Sequence, residues 1–168
     1  MDGQDDRRYS RAPEFEDLVS LCKALNAENV RYVLIGGFAV ILHGFVRATK
    51  DIDLLIDASA ENIHRLKRAM AQLPDNAIAL ISDDEVEKYE VVRRIADEIV
   101  VDLMRSACGI RYDEAATRVD TVTVGGVSIP VADKELLIAT KQTVRPSDAA
   151  DVQFLRLRIA EDEKDSSG

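Results

Sequence analysis

The sequence predicts an α/β fold of the α+β kind, a central mixed β-sheet flanked by helices and followed by two C-terminal helices. Three observations predict it. Short apolar runs such as RYVLI (31–35) alternate with amphipathic segments of helical period. A Gly125-Gly126 pair between two alternating runs marks a tight hairpin. From Asp133 onward only helical patterns follow.

Each element has its own signal. Pro13 at a first-turn position opens a helix in which Phe15, Leu18, Val19, Cys22 and Leu25 keep helical spacing. RYVLI is a short buried strand that stops at Gly36-Gly37, and FAVILHG (38–44) is a short helix ended by Gly44. Residues 50–57 form a second strand. Ser59 caps a helix reaching about Gln72, closed by Pro74. NAIALI (76–81) is expected to be a weaker third strand. YEVVRRI (89–95) and EIVVDLM (98–104) flank Ala96-Asp97 as a hairpin or meander. RYDEAATR (111–118) is a short helix and VDTVTVGGVSIPV (119–131) a hairpin. Asp133 caps KELLIATKQ (134–142), and Pro146 lies near the first turn of the last helix.

Composition bounds the function. A chain of 168 residues suits one domain, here 13–160, with acidic tails at 1–12 and 161–168 expected to be flexible. Aromatic residues are only 5% and Trp is absent, which argues against a large base-stacking platform. A net charge of −9 disfavours non-specific polyanion binding, although a local basic patch is compatible with it. Cys22 and Cys108 have no CxxC spacing and are expected to be free thiols. No N-terminal apolar leader segment is evident, and no apolar run approaches the roughly 20 residues of a membrane span, so a soluble cytoplasmic protein is expected.

The chemistry concentrates in YVLIGGFAVILHGFVRATKDIDLLID (32–57). Asp51 and Asp53, two apart at a strand start, point to one face of the pleat. Like charges so placed repel, and a divalent cation with oxygen ligands, Mg²⁺ or Mn²⁺, would neutralise both. A solvated strand end is the alternative for the pair alone. Gly36 and Gly37 stand between a strand and a helix, where unpaired N–H groups favour phosphate; an ordinary turn is the alternative. Asp102, after Ile99-Val100-Val101, offers a third carboxylate on a strand that can neighbour the first pair. Three carboxylates beside a phosphate loop make a two-metal phosphoryl-transfer site. Arg47 is placed to neutralise a phosphate or to pair with Asp51. Thr49 lies in the same loop. Lys141 and Arg145, four apart, share a face if their helix continues, and can then reach a triphosphate. Asp148 and Asp151, three apart, are suited to orient those two cations. His43 suits a helix C-terminus, and His64 carries no signal.

These motifs resemble the minimal nucleotidyltransferases of the DNA polymerase β superfamily. Ile35-Gly36-Gly37, Asp51-Ile52-Asp53-Leu54 and Val101-Asp102-Leu103 match that superfamily's three motif elements in order. The chain is more closely similar to the AbiEii/MenA-type toxin nucleotidyltransferases, whose late motif has Lys, then Arg-x-Lys-Asp-x-x-Asp. Lys141, Arg145, Asp148 and Asp151 match it, whereas Ser147 stands where the pattern has Lys. The resemblance implies a polymerase-β-like nucleotidyltransferase fold. It also implies Mg²⁺-dependent transfer of a nucleoside monophosphate from NTP, with Asp51, Asp53 and Asp102 binding metal. Gly36, Gly37, Arg47, Thr49, Lys141 and Arg145 would bind nucleotide. The acceptor would be a tRNA, a protein or a small molecule, and an antitoxin protein would be a partner. A catalytically silent nucleotide-binding regulatory or partner-binding domain is the other reading.

Overall fold

The computed structural model of the protein describes residues 10–80, 93–143 and 145–167. Helix α1 (Phe15–Ala27) begins just after Pro13. Its first turn is tied by Asp17, which accepts the Glu14 backbone N–H at 2.7 Å and pairs with Arg11 at 2.6 Å. Leu18, Leu21, Cys22 and Leu25 form its buried stripe. Burial pushes the Cys22 thiol up to about 11, so it is a neutral apolar filler and not a nucleophile.

Strand β1 (Tyr32–Ile35) runs directly into the short helix α2 (Gly36–Leu42). Strand β2 (Asp51–Ile56) leads to α3 (Ala60–Met70), capped by Ser59, whose hydroxyl accepts the Asn62 N–H. Strands β3 (Arg93–Ala96) and β4 (Val100–Met104) form the expected hairpin, followed by a two-residue ribbon of β5 (Ser106–Ala107) and β6 (Ile110–Arg111) and by α4 (Tyr112–Ala115). Strands β7 (Val119–Val124) and β8 (Val127–Ala132) turn through Gly125 and Gly126, at φ +56° and +80°. Two positive φ values in succession define a primed turn, which matches the twist of the strands it joins. Helices α5 (Lys134–Thr140) and α6 (Pro146–Ser167) close the chain, the former capped by Asp133.

The main sheet has the order β3-β4-β2-β1-β8-β7. β2 and β4 pair in parallel, as do β1 and β8, and the other neighbours are antiparallel. This is the mixed sheet with flanking helices that the sequence predicts. Leu34, Ile52, Leu54, Val101 and Leu103 are fully buried and join Leu18, Leu25, Ile63 and Leu66 of α1 and α3 in one core. None of the helices described is long and apolar enough to cross a membrane.

Three local expectations need correction. NAIALI is not a strand: residues Ala77–Leu80 form a 3₁₀ turn, and Ile81 lies outside the described residues, as do residues 1–9 and 81–92. The cause is the buried Asp97 carboxylate, which accepts the backbone N–H groups of Asp75, Ala77 and Glu98 at 2.8–2.9 Å. Those donors are turned toward a side chain and away from a sheet partner. The helix capped by Asp133 stops at Thr140, short of the expected 142, so the condition for Lys141 and Arg145 to share its face is not met. Helix α6 continues to Ser167, through most of the segment assigned to a tail, with residues 161–166 exposed.

Asp97 therefore carries much of this end of the molecule. Asp97→Ala leaves three backbone donors without their acceptor and is expected to cost roughly 2–4 kcal/mol. Urea denaturation reads this as a lower midpoint at unchanged slope; an unchanged midpoint would contradict the role given to the carboxylate.

Candidate active site

The site begins with strand register. In the parallel β2–β4 pair, Asp53 lies opposite Asp102 and Asp51 opposite Val100. Alternation then turns Asp51, Asp53 and Asp102 to one face and sends Ile52, Leu54, Val101 and Leu103 to the other. One oxygen from each of the three carboxylates lies within 4.8 Å of the other two. Burial, then the charges of Asp51 and Asp102, hold the Asp53 carboxyl well above the usual carboxylate range, with Lys141 opposing them. Burial and Asp102 raise Asp51 as well, against Arg94.

Gly36 and Gly37 fit tightly beside this cluster. Gly36 has φ +75°, and a Cβ there would stand 2.0 Å from Asp53 Oδ2. A Cβ on Gly37 would stand 2.6 Å from the Thr49 hydroxyl oxygen, which donates to the Asp51 carbonyl at 3.2 Å. The glycine pair thus lets the chain pass over the carboxylates and opens its backbone to the same space.

That space is a cleft of about 470 Å³. Gly36, Gly37, Arg47, Thr49, Asp51 and Asp53 line it from one side, and Lys141, Arg145, Asp148 and Asp151 from the other. Asp102 lies beside it, buried, at 4% exposure. The residues that the sequence assigns to metal or nucleotide binding, with Asp148 and Asp151, therefore all border this region. Ser147, in place of the patterned Lys, also lines the cleft.

The far wall is an ion-pair network centred on α6. Asp151 Oδ2 accepts from Arg47 Nη1 at 2.6 Å and from Lys141 Nζ at 2.9 Å. Arg47 therefore pairs with Asp151 and not with Asp51, because the loop after α2 carries it toward α6. Asp148 receives Lys141 at 3.5 Å, the Thr143 hydroxyl at 2.5 Å and Arg145 Nε at 3.1 Å. Burial opposes ionisation of Asp148, but Thr143, Lys141 and Arg145 outweigh it and hold that carboxyl below its ordinary value. Lys141 and Arg145 converge through Asp148, not by sharing a helix face. Asp151 Oδ1 is buried without a hydrogen-bond partner among the described residues.

Sequence reasoning missed Arg94. Its Nε donates to Asp102 Oδ1 at 3.0 Å, and its Nη2 donates to Asp102 Oδ2 at 2.9 Å and Asp51 Oδ2 at 3.3 Å. Antiparallel pairing sets Arg94 directly across from Asp102. The signal was in the hairpin: positions 94 and 102 are symmetric about Glu98. Of the two histidines, His43 sits at the C-terminus of α2 with Nε2 2.9 Å from the Ala132 carbonyl oxygen, and His64 is exposed on α3. Neither lines the cleft.

The profile of a family described as a nucleotidyltransferase of unknown function, DUF6036, matches residues 14–158. The fold is similar to that of a candidate nucleotidyltransferase, TM1012, from Thermotoga maritima, with a TM-score of 0.52 and 19% identity over 90% of each chain. It is also similar to an antigenic nucleotidyltransferase-like protein from Paracoccidioides brasiliensis, with a TM-score of 0.51 and 18% identity. That match covers 87% of this chain and 77% of the other. At such identities the likeness speaks for the fold alone. No curated protein matches the sequence.

Two outcomes follow from the crowding. Asp53→Asn removes a half-buried like charge and is expected to raise Tm at pH 7 by roughly 2–4 °C, the shift of about 1 kcal/mol in a domain of this size. Because folding raises the Asp53 pKa, the parent loses stability as pH rises from the ordinary carboxylate value through the raised one. The gain from Asn should therefore vanish in acid, where Asp53 is protonated in both states; a gain independent of pH would contradict the electrostatic cause. Gly36→Ala, by contrast, should lower Tm, since its Cβ has to displace the Asp53 carboxylate.

Proposed function

The chain belongs to the nucleotidyltransferase family DUF6036, and from that premise we propose that it is a Mg²⁺- or Mn²⁺-dependent enzyme moving a nucleoside monophosphate from NTP to an acceptor hydroxyl. The observation that carries this reading is the convergence of Asp51, Asp53 and Asp102 within 4.8 Å, beside a cleft walled by Arg47, Lys141 and Arg145. An all-oxygen, all-carboxylate donor set suits Mg²⁺ or Mn²⁺. Asp51 and Asp53 would hold both ions of a pair, and Asp102 the one nearer the acceptor. When bound, such ions lower the pKa of an acceptor hydroxyl and offset triphosphate charge.

The protein's own groups do the rest. Lys141 and Arg47, held by Asp151, present positive charge to the triphosphate, with Arg145 at the rim. Gly36 and Gly37 let phosphate oxygens approach backbone N–H groups, and Thr49 shapes that contact. The acceptor hydroxyl gives its proton to a carboxylate, for which Asp102 is the candidate. Its oxygen bonds to the α-phosphorus, and the bond from that phosphorus to the bridging β-oxygen breaks, releasing pyrophosphate.

The acceptor class is a tRNA, a protein or a small molecule. The narrower reading, an AbiEii/MenA-type toxin countered by an antitoxin protein, rests on the resemblance of the motifs. Growth arrest on expression, relieved by a neighbouring gene product, is its expected signature. Arg94 favours a second reading, a silent nucleotide-binding domain, because it already neutralises two of the three carboxylates.

Incubation with each α-labelled NTP, Mg²⁺ or Mn²⁺, and tRNA, total protein and the protein itself as acceptors separates the two. Label transfer is expected, and Asp51→Ala or Asp102→Ala should each reduce it by roughly 10²–10³ or more. Transfer that survives both substitutions would sink the assigned site; metal-dependent NTP binding without transfer would favour the silent domain. Asp151→Asn, which loosens Arg47 and Lys141, is expected to raise KM for NTP about five- to tenfold with a smaller change in kcat.

A further inference from the structure

Among the described residues, Arg94 is the cation that hydrogen-bonds the carboxylate cluster from the sheet itself. Its guanidinium engages both oxygens of Asp102 and one of Asp51, in the two-pronged geometry that makes arginine–carboxylate pairs strong. Asp102 is almost completely buried, while the Arg94 side chain is 42% exposed. Arg94 lines a second groove of about 500 Å³, together with Ser10, Arg11, Lys50 and Asp51. Lys50 and Asp51 line both spaces, and the half-exposed guanidinium borders the second, with room to swing into it.

Given that the carboxylate cluster holds a divalent cation, we propose that Arg94 competes with that cation for Asp102 and Asp51 and so sets the affinity of the site. Two facts make the contact competitive. Both oxygens of Asp102 and one of Asp51 accept from Arg94, and an ion there would face a positive guanidinium across the same carboxylate. Neither can the competition be relieved by titration, because a guanidinium does not deprotonate in a protein. Release means displacement into the Lys50 groove. Asp53, which Arg94 does not hydrogen-bond, stays open to the cation from the start. The site thus becomes asymmetric: Asp53 and the Asp51 oxygen that Arg94 leaves free would ligate first, and Asp102 when Arg94 leaves. Arg94 is a positioning residue in this scheme. It holds a buried carboxylate in its orientation until the ion replaces it.

The competing possibility gives the opposite sign. If Arg94 and the cation shared Asp102, Arg94 would brace a ligand, and its loss would weaken binding about 10–100-fold. Mn²⁺ titration of the full chain, followed by electron paramagnetic resonance of free Mn²⁺, decides between them. Competition predicts that Arg94→Gln tightens Mn²⁺ binding about tenfold, as the carboxylates become free for a larger fraction of the time. Arg94→Lys, which keeps the charge but loses the fork, should fall between parent and Gln variant. In a thermal melt, Arg94→Gln should lower Tm without metal and show a larger rise with it. Adding Asp102→Asn to Arg94→Gln should remove the gain in affinity.

Unchanged or weaker Mn²⁺ binding in Arg94→Gln would overturn the proposal while leaving the metal site intact. If neither parent nor variant binds Mn²⁺, the metal reading itself fails and this inference with it. Should Arg94→Gln not fold, Arg94→Lys carries the same test: tighter binding supports competition, and equal or weaker binding refutes it.

Discussion

The parallel pairing of β2 with β4 is the constraint on which the rest of this molecule depends. It places Asp53 opposite Asp102, with Asp51 one pleat away on the same face. Three carboxylates so close repel each other and resist burial, and the sheet keeps them only because its other face is dry. Leu34, Ile52, Leu54, Val101 and Leu103 are wholly buried there. A slip of one residue in β2 would exchange aspartates for isoleucine and leucine, a loss the core does not tolerate. The apolar alternation thus sets the register, and the register assembles the charge.

Everything around the cluster can be read as an answer to that charge. Gly36 gives Asp53 room where any side chain would collide. Arg94 neutralises Asp102 and Asp51 from the neighbouring strand. On the far wall, Asp148 and Asp151 hold Lys141, Arg47 and Arg145 so that the cations face the cleft without collapsing onto the triad. The result is a pocket with three carboxylates on one side and, on the other, three cations set against two carboxylates. A metal-chelated triphosphate carries the complementary arrangement, cations at one end and phosphate oxygens along its length. An isolated anion or an isolated cation would satisfy only half of it.

Much of this was legible in the sequence, because the signals were local or periodic. The strands that hold Asp51, Asp53 and Asp102 announce themselves by apolar alternation, and Gly125-Gly126 by its turn chemistry. What escaped depends on partners distant in the chain. NAIALI has a strand composition, yet Asp97, some twenty residues later, captures the N–H of its Ala77 and of Asp75 just before it, and Ala77–Leu80 form a 3₁₀ helix. Arg47 is close to Asp51 in sequence and bonds Asp151 instead, an interaction that requires knowing how α6 docks. Lys141 and Arg145 look like one helical face but meet through Asp148 across a break. Arg94, which bonds the cluster, was passed over, although a hairpin symmetric about Glu98 sets it opposite Asp102.

The most direct test of the central claim is crystallographic. Crystals grown with Mn²⁺ and a non-hydrolysable NTP would locate manganese by its anomalous scattering. The account predicts peaks liganded by Asp51, Asp53 and Asp102. The triphosphate would lie in the cleft between Gly36-Gly37 and Lys141, with the Arg94 guanidinium withdrawn from Asp102. Manganese bound elsewhere, or a nucleotide outside this cleft, would contradict it.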